Sequence, residues 1–162
     1  MTSMKKKIVS SFLSSAAVFA WMAVIVSFSL QEGNQSGALS GSFARALYGW
    51  VENWPFFTDR LPFDVFHFLL RKGAHFGVYL VLGLLTWNAL RFYRAPSLRH
   101  YAFVTLGAFI FALVDEGIQY FTPGRVFAVT DVFIDGLGFM TGLFSAVGLA
   151  ALLKLELYVR KD

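Results

Sequence analysis

Arg71 and His75 stand four residues apart, as do Asp115 and Gln119, and Asp131 and Asp135. On an α-helix that spacing places both members of each pair on one face, one above the other. Lys72 adjoins the first pair and Tyr79 lies a further turn along; Glu116 adjoins the second pair, rotated about 100° around the axis. Arg125 falls between the second and third pairs. The set combines four carboxylates, three permanent cations and an imidazole. Such a set can form ion pairs, relay protons, or bind a hard divalent cation through oxygen ligands. No cofactor motif accompanies it: metal-ligand spacing, a Gly-rich phosphate loop and a Ser and His pair fixed by sequence are all missing. The chain has no cysteine, which excludes disulfides, thiolate metal sites and Cys nucleophiles.

These groups are set among stretches that belong in lipid. Of 162 residues, 57% are hydrophobic and 18% aromatic, while charged residues reach 15% against about 25% in a soluble domain. Ile8–Leu30 is an uncharged run, and about 20 such residues cross the hydrocarbon as a helix. It follows Lys5-Lys6-Lys7, but it outruns the apolar core of a cleaved signal peptide, so an anchored helix is expected. Further apolar stretches place spans at about 65–91, 100–121 and 131–154. The expected fold is all-α: one polytopic transmembrane domain over residues 1–162, with four transmembrane helices.

Charge placement tests that topology separately. The segments on the side of both termini hold Lys5, Lys6, Lys7, Arg91, Arg94, Arg99, Lys154, Arg160 and Lys161 against Glu156 and Asp162, an excess of +7. The other side and its helix ends hold Arg45, Arg60, Arg71, Lys72 and Arg125 against Glu32, Glu52, Asp59, Asp64, Asp115, Glu116, Asp131 and Asp135, a net −3. Basic loops face the cytoplasm. Both termini are therefore expected in the cytoplasm, and the ionisable groups of three helices in one layer near the outer face.

The connection over 31–62 opens with the turn formers Gln31-Glu32-Gly33-Asn34-Gln35-Ser36-Gly37. After Ser40 or Ser42 as a cap, Leu39, Phe43, Ala46, Leu47, Trp50, Val51 and Trp54 recur at helical steps until Pro55. This predicts an amphipathic helix too short and polar to span. It either lies flat in the outer interface or packs across the helix mouths as a lid.

Ionisable groups in a span cost a few kcal/mol each by insertion scales, so they need partners, water or a role. One reading makes them bundle glue: cations and carboxylates pair between helices, and Arg125 folds back onto Asp131. In the other reading a surplus carboxylate is left for a proton, a metal ion or water. On the fourth span, Asp131, Asp135, Gly138 and Gly142 share a stripe whose small residues allow another helix to approach closely.

Several blocks extend these motifs: Ser29-Leu30-Gln31 with Ser36 and Ser40; Arg71-Lys72-Gly73-Ala74-His75-Phe76-Gly77-Val78-Tyr79; and Asp115-Glu116-Gly117-Ile118-Gln119-Tyr120-Phe121-Thr122-Pro123-Gly124-Arg125 leading to Asp131-Val132-Phe133-Ile134-Asp135-Gly136-Leu137-Gly138. In this order they resemble the VanZ-like family of bacterial membrane proteins. The family pattern is matched here by Lys72, His75, Tyr79, Asp115, Glu116, Gln119, Pro123, Gly124, Arg125 and Asp131, while Asp135 stands where many members have Asn. The resemblance implies a protein of the bacterial cell envelope. Its founding member is associated with low-level teicoplanin resistance, which extends the expectation to antibiotic resistance.

Residues and resemblance together suggest a multi-pass protein of the bacterial cytoplasmic membrane that binds an amphiphile, a lipid-linked cell-wall intermediate or a lipoglycopeptide, at an outer-leaflet polar site. Gln31, Arg71, Lys72, His75, Tyr79, Asp115, Glu116, Gln119, Arg125, Asp131 and Asp135 are the candidate site residues. Arg71, Lys72 and Arg125 would meet phosphate or carboxylate groups, and the acids would hold those cations. Membrane lipids are expected partners and nucleic acid is not. An oligomer is compatible with the pattern. The alternatives are a membrane-embedded enzyme acting on lipid-linked phosphates, using a divalent cation or His75, and a small proton-coupled transporter.

Overall fold

The computed structural model describes residues 3–51, 54, 61–92 and 96–152. Pro55, Arg94, Lys154, Arg160 and Lys161, together with Glu52, Asp59, Arg60, Glu156 and Asp162, lie outside the described residues. Within these, all regular structure is helical: α1 Ser3–Ser29, α2 Gly33–Val51, α3 Phe63–Leu90, α4 Leu98–Phe121 and α5 Val129–Leu152. All but α2 are long and apolar enough to cross a membrane. The chain is a polytopic α-helical membrane protein.

The most extensive helix pair, α3 with α5, is built on glycine. A β-carbon on Gly138 would strike the Phe76 carbonyl, one on Gly142 the Leu80 carbonyl, and one on Gly83 of the facing helix the Phe139 carbonyl. The two backbones touch through these positions, the close approach that small residues permit between helices in lipid. Around this seam α5 also packs on α4, α4 on α1, and α1 on α3, so the four spans close into a ring. Tyr79, Leu82, Phe139, Leu143, Ala108, Ala112 and Ile25 fill its centre.

Outside that core the helices keep apolar faces turned outward. Phe12 and Phe19 of α1, Phe103 and Ile110 of α4 and Phe133 of α5 are exposed, as suits a hydrocarbon solvent. Two polar links tie α1 to α3 across this apolar zone: Trp21 Nε1 donates to the Val78 carbonyl at 2.8 Å, and Asn88 Nδ2 to Ser14 Oγ at 2.9 Å. Interhelical bonds of this kind contribute roughly 0.6–2 kcal/mol each in membranes. Trp21→Phe should therefore lower stability by about 1 kcal/mol or more in a detergent unfolding titration, since it removes the donor together with the pyrrole half of the ring.

The span boundaries move by a few residues for local reasons. Before α4, Ser97 and His100 form a reciprocal cap, with the Ser97 N–H donating to His100 Nδ1 at 3.1 Å. This starts the helix at Leu98. Before α3, Pro62 presets the chain just ahead of Phe63.

The connection 31–62 departs further from expectation. Its helix begins at Gly33, not after Ser40 or Ser42, and takes in the turn formers up to Gly37. The cause is tertiary. The Gly33 N–H donates to the Pro123 carbonyl at 2.9 Å, and a β-carbon on Gly33 would overlap the Gly124 carbonyl. Docking on the α4–α5 turn overrides a local preference worth about 1 kcal/mol per glycine. The small face of α2, with Gly41 and Ala44 buried and Ser36, Ser40 and Tyr48 half-buried, packs inward, while Leu39, Phe43 and Trp50 are exposed. The helix therefore packs its small face on α3 and the α4–α5 turn and leaves its large apolar side chains exposed.

Candidate functional site

The C-terminal ends of α1 and α4, the N-terminal halves of α3 and α5, and α2 meet at one end of the ring. Here the structure brings together polar side chains from five elements. Asp115, Glu116 and Asp135 are at most 2% exposed, so their partners decide what this end can do. The groups form two clusters that share residues of α3.

In the first cluster, toward α1 and α2, the Ser29 hydroxyl donates to Asp115 Oδ1 at 2.6 Å, and Gln119 Nε2 lies 3.5 Å from Asp115 Oδ2. Gln119 Oε1 in turn accepts from Arg125 Nη1 at 2.8 Å. The other two guanidinium nitrogens are also engaged: Nε with the Gln31 carbonyl at 3.3 Å, and Nη2 with the Phe28 carbonyl at 3.0 Å and Ser36 Oγ at 3.1 Å. Arg125 thus joins the α1–α2 corner to α4, and it does not fold back onto Asp131. Burial, reinforced by nearby Arg71, pulls its pKa below the usual value.

The turn before it explains how Arg125 gets there. Arg125 N donates to the Thr122 carbonyl at 3.1 Å, with Pro123 and Gly124 between them, and Gly124 has φ +75°. Pro followed by a positive-φ Gly is the chemistry of a type II turn. Thr122 adds a second tie, its hydroxyl donating to the Ser29 carbonyl at 3.1 Å.

In the second cluster, toward α5, Lys72 forms an ion pair with Asp131. His75 Nδ1 lies 3.2 Å from Asp135 Oδ1. Glu116 Oε2 accepts the Ala128 N–H at 3.0 Å. Glu116 Oε1, Asp135 Oδ2 and the Tyr79 hydroxyl are buried and have no hydrogen-bond partner among the described residues. His75, Glu116 and Asp131 each offer one ligand atom within 4.8 Å of the others, a geometry that could hold a metal ion.

Each cluster opens into a cavity. One, of about 260 Å³, has Ile25, Phe28, Ala74 and Val78 on its apolar walls and Ser29, Ser36, Ser40, Arg71 and Asp115 among its polar groups. The other, of about 340 Å³, is lined by Asp64, His67, Phe68, Arg71, Lys72, His75 and Asp131. Arg71 and His75 line both cavities. Of the three cations expected to meet an anion, Lys72 is paired with Asp131 and Arg125 is held by neutral acceptors, and neither Arg125 nor Arg71 has an ion pair among the described residues. Gln31 contributes its backbone carbonyl to Arg125 and lines the first cavity.

Two contributors escaped the sequence reading. Asp64 and His67 line the second cavity, and His67 Nε2 lies 3.1 Å from Ser40 Oγ on α2. The signal was present: Asp64, His67, Arg71 and His75 recur at three- and four-residue steps on one helical face.

No curated protein and no solved structure matches the chain. A family comparison does find a match, over residues 15–153, from within α1 to the end of α5, and on it the chain belongs to the VanZ/LLP1 family.

Proposed function

We propose that this VanZ/LLP1 protein resides in the bacterial cytoplasmic membrane with both termini in the cytoplasm. It binds an amphiphile with an anionic headgroup at its outer-leaflet polar end, and so contributes to teicoplanin resistance. The observation that carries the reading is the cavity of about 260 Å³, where apolar walls from α1 and α3 run up to Arg71 and three serine residues. A guanidinium without an ion pair, flanked by hydroxyls, suits phosphate or carboxylate recognition. Ile25, Phe28 and Val78 then accept the apolar part of the ligand. The exposed Leu39, Phe43 and Trp50 of α2 favour a membrane-surface approach, because such side chains rest in the lipid interface. The basic excess beside the termini supports the orientation.

The test is binding of teicoplanin and of a labelled lipid phosphate to purified protein in detergent. Arg71→Ala is expected to weaken binding about tenfold or more, the loss of a charge-assisted bond, while the melting temperature stays within a degree or two. A strain that depends on the protein should lose teicoplanin tolerance in parallel. Equal affinity in wild type and Arg71→Ala would remove the anion site. Turnover of the lipid phosphate would replace binding with catalysis.

A further inference from the structure

We infer that His75, Glu116 and Asp131 form a divalent-cation site in the second cluster, which shares only His75 with the amphiphile cavity proposed above. Three observations converge on it. One ligand atom from each residue already lies within 4.8 Å of the other two. Ligands about 2.0–2.2 Å from a metal stand some 3–4 Å apart, so small side-chain movements complete the triangle. The residues come from α3, α4 and α5, and such convergence does not follow from local sequence.

The second observation is an unsatisfied buried acid. Glu116 is fully buried, and its Oε1 has no partner among the described residues although Oε2 is held by the Ala128 N–H. An orphaned carboxylate oxygen inside a helix bundle costs free energy that a cation would recover. Charge balance points the same way: Glu116, Asp131 and Asp135 face one permanent cation, Lys72, and a divalent ion supplies the two charges that are lacking.

The third observation is the outer support. His75 Nδ1 is engaged by Asp135 Oδ1, which leaves Nε2 free to serve as a ligand. A carboxylate behind a histidine is the arrangement that orients metal-binding imidazoles. Asp131 meets Lys72 through Oδ1, leaving Oδ2 for the metal. The cavity of about 340 Å³ reaches His75 and Asp131 and gives the ion a way in. One imidazole with two carboxylates and room for water suits Zn²⁺ or Mn²⁺.

The full chain, purified in detergent and stripped with chelator, is titrated with Zn²⁺, Mn²⁺ and Mg²⁺, and retained metal is counted after gel filtration. About one equivalent of Zn²⁺ or Mn²⁺ is expected, with a raised melting temperature. Glu116→Gln and Asp131→Asn should each weaken binding about tenfold or more, and the exposed Glu32→Gln should not. If Glu116→Gln is not monodisperse, Asp131→Asn at the half-buried rim decides alone. No retained metal in wild type would overturn the site, leaving protons to neutralise the acids. Unchanged affinity in Asp131→Asn would overturn it equally. Neither result bears on Arg71 and teicoplanin, so the two proposals fail separately.

Discussion

Gly142→Leu is expected to part α3 from α5 and to lower stability by about 3 kcal/mol or more, the upper range for overpacking. Most overpacked sites relax because the obstructing atoms belong to side chains. Here the obstruction is the Leu80 carbonyl on the facing backbone, with the Leu84 amide nitrogen close behind, and a helix cannot give way locally. Gly138→Leu should behave alike against Phe76. The consequence reaches the polar end, because Lys72–Asp131 and His75–Asp135 both cross this seam. Gly107 provides the control. A β-carbon there meets nothing, so Gly107→Ala should raise stability by up to about 1 kcal/mol through helix propensity. Unfolding titrations in detergent would read both changes, and a Gly142→Leu variant within 1 kcal/mol of wild type would contradict the backbone contact.

Arg125→Ala carries the second large effect, a loss of about 3 kcal/mol. Its guanidinium satisfies Gln119, Ser36 and the carbonyls of Phe28 and Gln31, and alanine removes that donor from the buried Gln119 and the half-buried Gln31 and Ser36, while the Phe28 carbonyl keeps the Gln31 N–H. Stranding buried acceptors costs about 1–3 kcal/mol each, reduced where water reaches them. Lysine should restore less than half, because one ammonium cannot reproduce the planar fork. The damage should be local, so proteolysis near residues 30–33 should accelerate before global unfolding changes. A variant that melts as wild type and resists protease equally would show that the network does not hold α2 in place.

These two residues differ in how far they could be read in advance. Gly138 and Gly142 stand four apart on one face of α5, and that spacing announces a close neighbour. Gly83, the reciprocal contact on α3, has no such companion at four residues and was found only when the helices were seen together. Arg125 could be recognised as part of a polar set. Its partners could not, because Phe28, Gln31 and Ser36 lie roughly ninety residues upstream and two of them are reached through the backbone. The beginning of α2 was misjudged for the same reason: Gly33-Asn34-Gln35-Ser36-Gly37 forms a turn by local preference, and a contact with Gly124 makes it a helix.

The linear chain alone determined the four spans and the gathering of ionisable residues near the ends of three of them. Each follows from interactions within one or two helical turns or from transfer of side chains between water and lipid, which are local or additive. Tertiary structure decided which acid meets which base. It engaged Lys72 with Asp131 and Arg125 with neutral acceptors, left Arg71 without an ion pair among the described residues, and brought one N or O atom each of His75, Glu116 and Asp131 within 4.8 Å of one another. Pairing depends on how helices rotate and how closely they approach, which is set by backbone contacts such as Gly83 with Phe139. Charges of equal type on one helix face are interchangeable in a sequence, and become distinct only when a neighbouring helix presents one partner to one of them.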